Sequence, residues 1–297
     1  MKPLAGAIPT LLTPFNANLQ IDWGAYRQMI AWYLERRVGG LYANCLSSEM
    51  YHLTIDERIQ LTREAAGAAG GKVQVASTGN LGETLANQIR HCQQIADAGA
   101  DVVMLVVPIF HDNDADLERY FFTLAERVAA PLGLYECPVP RPYHLGVELV
   151  RRLAQTGRFV AYKETSCDLT KIKALLQAVA GTPLALLQAN TPYLIEAVRS
   201  GAPGSMTIAA TWLPEWVAEV IDKARAGDLD VEQLHAKLCA LELAQRAIHP
   251  LGTKYLLAKR GLPIQAHGRS NPPLPAETLL ALDYACRQWF DKQGELL

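Results

Sequence analysis

Lys163 closes an apolar run, Phe159-Val160-Ala161-Tyr162-Lys163-Glu164, bounded by Gly157 before it and by Thr165-Ser166 after it. Such a run predicts a buried strand, and strand alternation places Phe159, Ala161 and Lys163 on one face. An ammonium at the wet end of an apolar face loses part of its hydration. That loss pulls its pKa down from about 10.4, toward the range where a neutral amine exists near neutral pH. A neutral amine attacks carbonyls and forms Schiff bases. A strand-end lysine whose head reaches water is the ordinary alternative, and this stretch alone leaves both open. Other candidates stand at the ends of neighbouring apolar runs: Ser47-Ser48-Glu49, Phe110-His111, Tyr135 and Met206-Thr207. A phenol such as Tyr135 beside a Schiff-base lysine would pass protons to and from the carbinolamine and the reacting carbon. Its alternative is a rim tyrosine that packs its ring and hydrogen-bonds through its hydroxyl.

The elements that must position these residues alternate regularly. Strands are predicted at Gly6–Leu12, Gly40–Cys45, Val73–Ser77 and Val102–Val107. Four more follow at Leu132–Cys137, Phe159–Lys163, Leu184–Leu187 and Ser205–Ile208. Between them run helical segments. The first carries Trp23, Tyr26, Met29, Ile30, Tyr33 and Leu34 at helical spacing behind Asp22 as N-cap, and the second opens with the capping box Thr54-Ile-Asp-Glu57. The others fit Glu83–Ala98, Asp116–Val128, Val147–Gln155, Leu169–Val179, Pro192–Ser200 and Pro214–Ala226. Eight strand–helix units point to a parallel sheet closed as a (β/α)₈ barrel. An open doubly wound sheet would need a Gly-rich first turn, and the first turn here is Thr13-Pro14-Phe15-Asn16. After Ala226 the pattern is helical alone, with a stripe from Val231 to Ile248, a second helix running to Gly261 and a third over Glu277–Gln293. The expected division is a catalytic barrel over 1–226 and a C-terminal helical domain over 227–297.

Composition limits the chemistry. The 297 residues are 50% hydrophobic and 20% charged, and 28 Lys and Arg against 30 Asp and Glu give a net charge of −2. That balance gives no support to a nucleic-acid or membrane-surface role. Prolines 3, 9 and 14 interrupt the N-terminal apolar stretch, so no signal peptide is predicted. The longest apolar run, Val102 to Phe110, is far short of the roughly 20 residues that span a bilayer. Six scattered cysteines without a C-x-x-C pair predict reduced thiols in the cytoplasm. No H-x-x-x-H, H-E-x-x-H, G-x-G-x-x-G or Walker pattern occurs, so neither a metal nor a cofactor is expected.

Together these residues carry a resemblance over nearly the whole chain. Thr13-Pro14-Phe15, Ser47-Ser48-Glu49 followed by Leu53-Thr54 and Glu57-Arg58, Tyr135-Glu-Cys-Pro138, Tyr162-Lys163-Glu164 and Gly201-Ala-Pro-Gly204 stand in order. Lys254, Gly261, Arg269 and Pro273-Leu274 continue it in the tail. Each piece is a weak signal alone; their order and spacing together are specific. The chain resembles the dihydrodipicolinate synthase/N-acetylneuraminate lyase superfamily, the pyruvate-type class I aldolases. The resemblance implies that Lys163 forms the Schiff base with a 2-oxo acid and that Tyr135 acts as general acid/base. It further implies that Ser47 grips the pyruvyl carboxylate through its hydroxyl and backbone N–H, with Ser48 beside it. The backbone carbonyl of Met206 would face the substrate, with Thr207 next to it. Loop capping ahead of the Thr54 helix is the alternative for the serine pair. A homotetramer built as a dimer of dimers is also implied.

The departures from the family pattern bear on the substrate. Leu46 replaces the first Thr of the family's G-T-T-G-E loop, and Ser48 replaces its Gly. Phe110 stands where a neighbouring subunit supplies a tyrosine, and Pro140 where the synthase has its carboxylate-binding arginine, with Arg141 one residue later. The acidic pair that N-acetylneuraminate lyase uses falls at Thr191 and Pro192. The expected activity is therefore a lyase or aldolase on another 2-oxo acid, such as a deoxy sugar acid or a hydroxy-oxo acid. Glu136, Arg141, Tyr143, His111 and Asn190 are candidates for its distal part. A dehydratase of the same superfamily and a non-catalytic 2-oxo-acid-binding relative remain alternatives, and a phosphate-binding barrel enzyme fits less well. Condensation of pyruvate with aspartate semialdehyde should be poor or absent. Each lost hydrogen bond to a charged group costs about 1.5–3 kcal/mol, and three such losses remove several decades of rate. A coupled synthase assay run beside a panel of sugar acids checks this; synthase turnover equal to the best cleavage would reverse the reading.

Overall fold

The computed structural model describes residues 3–109, 113–288, 290, 291 and 294. Phe110 and His111 lie outside the described residues. Eight strands form one parallel sheet: β1 (Gly6–Ala7), β2 (Gly40–Ala43), β3 (Gln74–Thr78) and β4 (Val102–Val106), then β5 (Leu132–Tyr135), β6 (Phe159–Glu164), β7 (Ala185–Gln188) and β8 (Gly204–Ser205). The hydrogen-bonded order is β1-β8-β7-β6-β5-β4-β3-β2. Parallel bridges at Ala7–Val38 and Thr10–Tyr42 carry the circuit from β1 to β2. The first strand is shorter than the apolar run predicted because Pro9 has no N–H to give the ladder; its carbonyl still accepts from Tyr42 N at 2.9 Å. Gly204 is set by close approach, since a Cβ there would lie 2.3 Å from the carbonyl oxygen of Gly6. The architecture is the (β/α)₈ barrel.

Helices cover the outside: α1 (Trp23–Leu34), α2 (Ile55–Ala69), α3 (Leu85–Asp97), α4 (Asp114–Arg127), α5 (Val147–Gln155) and α6 (Leu169–Val179). They are followed by α7 (Leu194–Arg199), α8 (Ile208–Trp212) and α9 (Pro214–Ala226). The tail adds α10 (Val231–Arg246), α11 (Leu251–Lys259) and α12 (Ala276–Cys286). Local sequence accounts for the helix starts. Asp22 accepts from Ala25 N at 2.9 Å, and Thr54 and Glu57 exchange the two bonds of a capping box. Other boundaries differ from expectation as well. The third tail helix ends at Cys286, and β8 stops before Met206 because Thr207 N-caps α8, its hydroxyl accepting from Ala210 N at 3.2 Å. None of the described helices is long and apolar enough to cross a membrane.

Strand β4 shows how the barrel sorts its side chains. Val103 and Leu105 point outward into the layer shared with the helices, while Val102, Met104 and Val106 fill the interior. Strand β6 departs from this alternation. Leu132 pairs with Phe159 but Gly133 pairs with Ala161, so β6 carries one extra residue at Val160. This bulge turns Phe159 to the outer layer, while Ala161 packs in the interior cluster. Phe159 and Lys163 therefore do not share a face, contrary to the sequence reading.

The tail closes over the barrel through buried charge. Glu49, at φ 59°, is 2% exposed. One carboxylate oxygen accepts from Lys254 Nζ at 2.6 Å, and the other from Arg269 N at 2.6 Å and from Ser270 N and Oγ at 2.9 Å each. Lys254 also donates to the His267 carbonyl at 2.7 Å and lies 4.6 Å from the Phe15 ring centroid. Glu49→Gln keeps the shape and strands the Lys254 ammonium. Urea unfolding should show a loss of about 3–5 kcal/mol, as for other buried pairs stripped of one partner.

Candidate active site

The in-phase pairing of β4, β5 and β6 brings the site together. Val106 pairs with Tyr135, and Tyr135 pairs with Lys163. Both Tyr135 and Lys163 stand at the C-terminal rim, where barrels of this class present their chemistry. Lys163 Nζ lies 4.6 Å from the centroid of the Tyr135 ring and 5.3 Å from that of Tyr42. The two rings meet edge to face at 5.8 Å. Tyr42 was not singled out in the sequence, because within Gly40–Ala43 it reads as one more apolar strand residue; its hydroxyl pairs with Thr78 Oγ1 at 2.9 Å.

Lys163 is 6% exposed, and no carboxylate forms an ion pair with it among the described residues. Burial pulls its pKa below the ordinary lysine value, against the smaller opposing pull of the Cys45 and Cys137 thiols and of Glu242. The quadrupoles of the two tyrosine rings favour the ammonium, but weakly at these distances. Burial pushes Tyr135 the other way, well above the ordinary phenol value, so its hydroxyl keeps its proton. The pair thus presents an amine eased toward neutrality and a phenol that donates.

The serines divide their roles. Both lie in the short 3₁₀ turn Leu46–Ser48. The Ser48 hydroxyl accepts from Cys45 N at 3.0 Å and donates to the Leu11 carbonyl, while Thr13 holds the Ser48 carbonyl at 2.7 Å. Ser47 Oγ instead accepts from Thr10 Oγ1 at 3.1 Å and meets His249 Nε2 at 2.8 Å. His249 drew no attention in the sequence because it lies far along the chain, just before Pro250. Met206 is buried in the barrel interior, and its N–H donates to the Gln188 carbonyl at 2.9 Å. The Thr207 hydroxyl serves as the α8 cap. Arg141 is exposed and donates to the Ile109 carbonyl at 3.0 Å.

The distal candidates are mostly occupied elsewhere. Glu136 is 1% exposed and accepts from Leu145 N at 2.7 Å, from Thr165 N at 3.1 Å and from the Tyr162 hydroxyl. Its carboxylate ties the β5 and β6 ends to the segment before α5. The Tyr143 hydroxyl donates to Asp114 at 2.9 Å, and Asn190 Oδ1 accepts from Arg246 at 3.2 Å.

A sequence model of the Dihydrodipicolinate synthetase family matches residues 3–281. The chain belongs to that family. The 4-hydroxy-tetrahydrodipicolinate synthase of Pseudomonas putida (strain W619) is 27% identical over 263 residues, covering 87% of this chain and 89% of that protein. An uncharacterized DapA-like lyase of Thermofilum pendens is 28% identical over 280 residues, 92% of each chain. Among solved structures, the Escherichia coli K12 prophage protein YagE, a dihydrodipicolinic acid synthase family member in complex with pyruvate, superposes with a TM-score of 0.87. Identity there is 22%, over 96% of this chain and 98% of YagE. At that identity the likeness speaks for the fold. Within the dihydrodipicolinate synthetase family, whose members include lyases, this chain sets a lysine and a tyrosine side by side at the barrel rim.

A buried cation without an anion is a cost that the native state carries. Between the lowered native pKa and 10.5 the unfolded chain binds more protons at Lys163 than the native chain, so this group makes stability rise with pH across that window. Below the window both states are protonated and the destabilisation is complete. Lys163→Met should therefore be more stable than the parent at about pH 7, by roughly 1–2 kcal/mol. That gap should narrow toward about pH 10 in urea unfolding.

Proposed function

We propose that the protein is a Schiff-base-forming lyase or aldolase whose substrate is a 2-oxo acid, with pyruvate released or condensed with an aldehyde. The observation that carries this reading is the desolvated, acid-free Lys163 amine set 4.6 Å from the Tyr135 ring on the neighbouring strand. Lys163 attacks the 2-oxo carbon to give a carbinolamine. Tyr135 protonates the departing hydroxyl, and water leaves as the iminium forms. Tyr135, left as the phenolate, takes the C4 hydroxyl proton as the bond between C3 and C4 breaks, which releases an aldehyde and leaves the enamine of pyruvate. Protonation at C3 and hydrolysis then free pyruvate and the amine. In the other direction the same enamine attacks an aldehyde. The iminium draws electrons only while it exists, so the lysine accelerates the step that makes or breaks the carbon–carbon bond.

Ser47 is proposed to hold the 2-oxo acid carboxylate. A relative of the same fold that was solved in complex with pyruvate supports the substrate class. The apolar Leu46 beside Ser47 favours a substrate other than that of the synthases, a deoxy sugar acid or a hydroxy-oxo acid. Arg141, at the rim, is proposed for the distal end. The proposal extends to a homotetramer, as the family resemblance implies, and to a cytoplasmic location, as the scattered cysteines suggest.

Incubation with pyruvate and borohydride should leave a reduced pyruvyl group on Lys163, read by peptide mass. Lys163→Ala should lose both the adduct and turnover while keeping parent-like circular dichroism. A label on another lysine, or no label, would sink the mechanism.

A further inference from the structure

A chain of hydrogen bonds links the interior of the tail to the serine loop at the barrel mouth. Gln245 of α10 and Thr253 of α11 are fully buried and meet at 2.7 Å between Thr253 Oγ1 and Gln245 Oε1. Thr253 Oγ1 also lies 2.8 Å from His249 Nδ1, and His249 Nε2 lies 2.8 Å from Ser47 Oγ. On its far side Ser47 accepts from Thr10 Oγ1.

This chain has a direction, and the imidazole sets the rule. Burial, helped by the nearby Lys163 and Lys254 ammoniums, pushes the His249 pKa down to about 3, so the ring is neutral. A neutral ring has one N–H and one lone pair, so His249 donates at one nitrogen and accepts at the other. Gln245 decides which. With its carbonyl toward Thr253, its Nε2 is buried with no partner. A buried orphan N–H is the costlier amide end to leave unpaired, and the reversed amide occupies the same volume. Reversed, Gln245 donates to Thr253, and Thr253 gives its own proton to His249 Nδ1. His249 Nε2–H then donates to Ser47. Both acceptor positions of the Ser47 hydroxyl are now filled, by His249 and by Thr10. Its single proton is left to point at a ligand.

We propose that His249 is a positioning residue that fixes the Ser47 hydroxyl as a donor to the carboxylate of a 2-oxo acid held at Lys163. The proposal rests on the Schiff-base reading above. It also separates the two serines: Ser48 gives its proton to the Leu11 carbonyl, while Ser47 is held ready to give its own away. His249 acts through Ser47 and does not itself exchange protons with the substrate.

The full-length protein with ¹⁵N-labelled histidine tests the direction. Long-range proton–nitrogen spectra should show His249 neutral from about pH 5 to about pH 8, with its proton on Nε2. A proton on Nδ1, or a charged ring in that range, overturns the proposal. Borohydride trapping of pyruvate tests the consequence. In His249→Phe the pyruvate concentration for half-maximal trapping should rise on the order of ten- to a hundred-fold, while the trapping rate at saturation changes little. His249→Gln, whose amide can donate to Ser47, should recover most of the loss. Thr253→Val, which leaves the imidazole in place but frees its tautomer, should shift the same constant in the same direction by less. Parent-like constants in both His249→Phe and Thr253→Val overturn the relay alone. No adduct in the parent protein overturns the Schiff-base reading and the relay's role with it.

Discussion

Withholding water from one amine is the constraint around which this barrel is arranged. Lys163 sits at the top of an interior filled by Ala161, Leu187, Met206, Met104 and Val106, and its nearest polarisable neighbours are the rings of Tyr42 and Tyr135. An acid in contact with it would have favoured a stable ammonium over the neutral amine that the proposed Schiff base needs. The barrel keeps the acids one layer away. Glu136 and Glu164 follow Tyr135 and precede the β6 turn, yet both are turned outward into their own hydrogen-bond networks. Strand alternation does this without any special device: the residue next to an inward lysine points outward.

Keeping the amine dry also requires a cover, and the tail contributes one whose buried charges are held in ion pairs and hydrogen bonds. Glu49 gathers Lys254, Arg269 and Ser270. Glu242 accepts from Thr191, from Ala209 N at 3.3 Å and from Arg246 at 3.2 Å. Arg260 donates to Glu215 and to the Trp212 carbonyl. Buried charges of this kind add little stability over apolar substitutes, but stripping one of its partner is costly. The apolar residues Val231, Leu238, Leu256 and Leu257 join the same core cluster as residues of α1 and α2.

The bulge in β6 has a part in placing the lysine. Without the extra residue at Val160, Tyr135 and Lys163 would fall out of register, and the phenol and amine would point to opposite sides of the sheet. Such a bulge leaves no mark in a hydrophobic pattern. Val160 and Ala161 are both apolar, and an apolar run reads the same in either register.

What the sequence determined by itself is the part carried by short-range rules. Eight short apolar runs alternating with helical segments specified the barrel. Asp22, the Thr54–Glu57 box and the runs ending in Tyr135 and Lys163 could be read within a few residues of chain. Motif order then led to the family and to Lys163, Tyr135 and Ser47. Tertiary structure alone decided the rest, because it depends on partners distant in the chain. Ser47 and His249 are 202 residues apart, and Glu49 and Lys254 are 205. Glu136 read as a rim contact until Leu145, Tyr162 and Thr165 claimed its oxygens, and Thr207 read as strand until Ala210 gave it a helix to cap. A polar side chain announces in sequence that it needs a partner; which partner reaches it is settled only when the chain closes on itself.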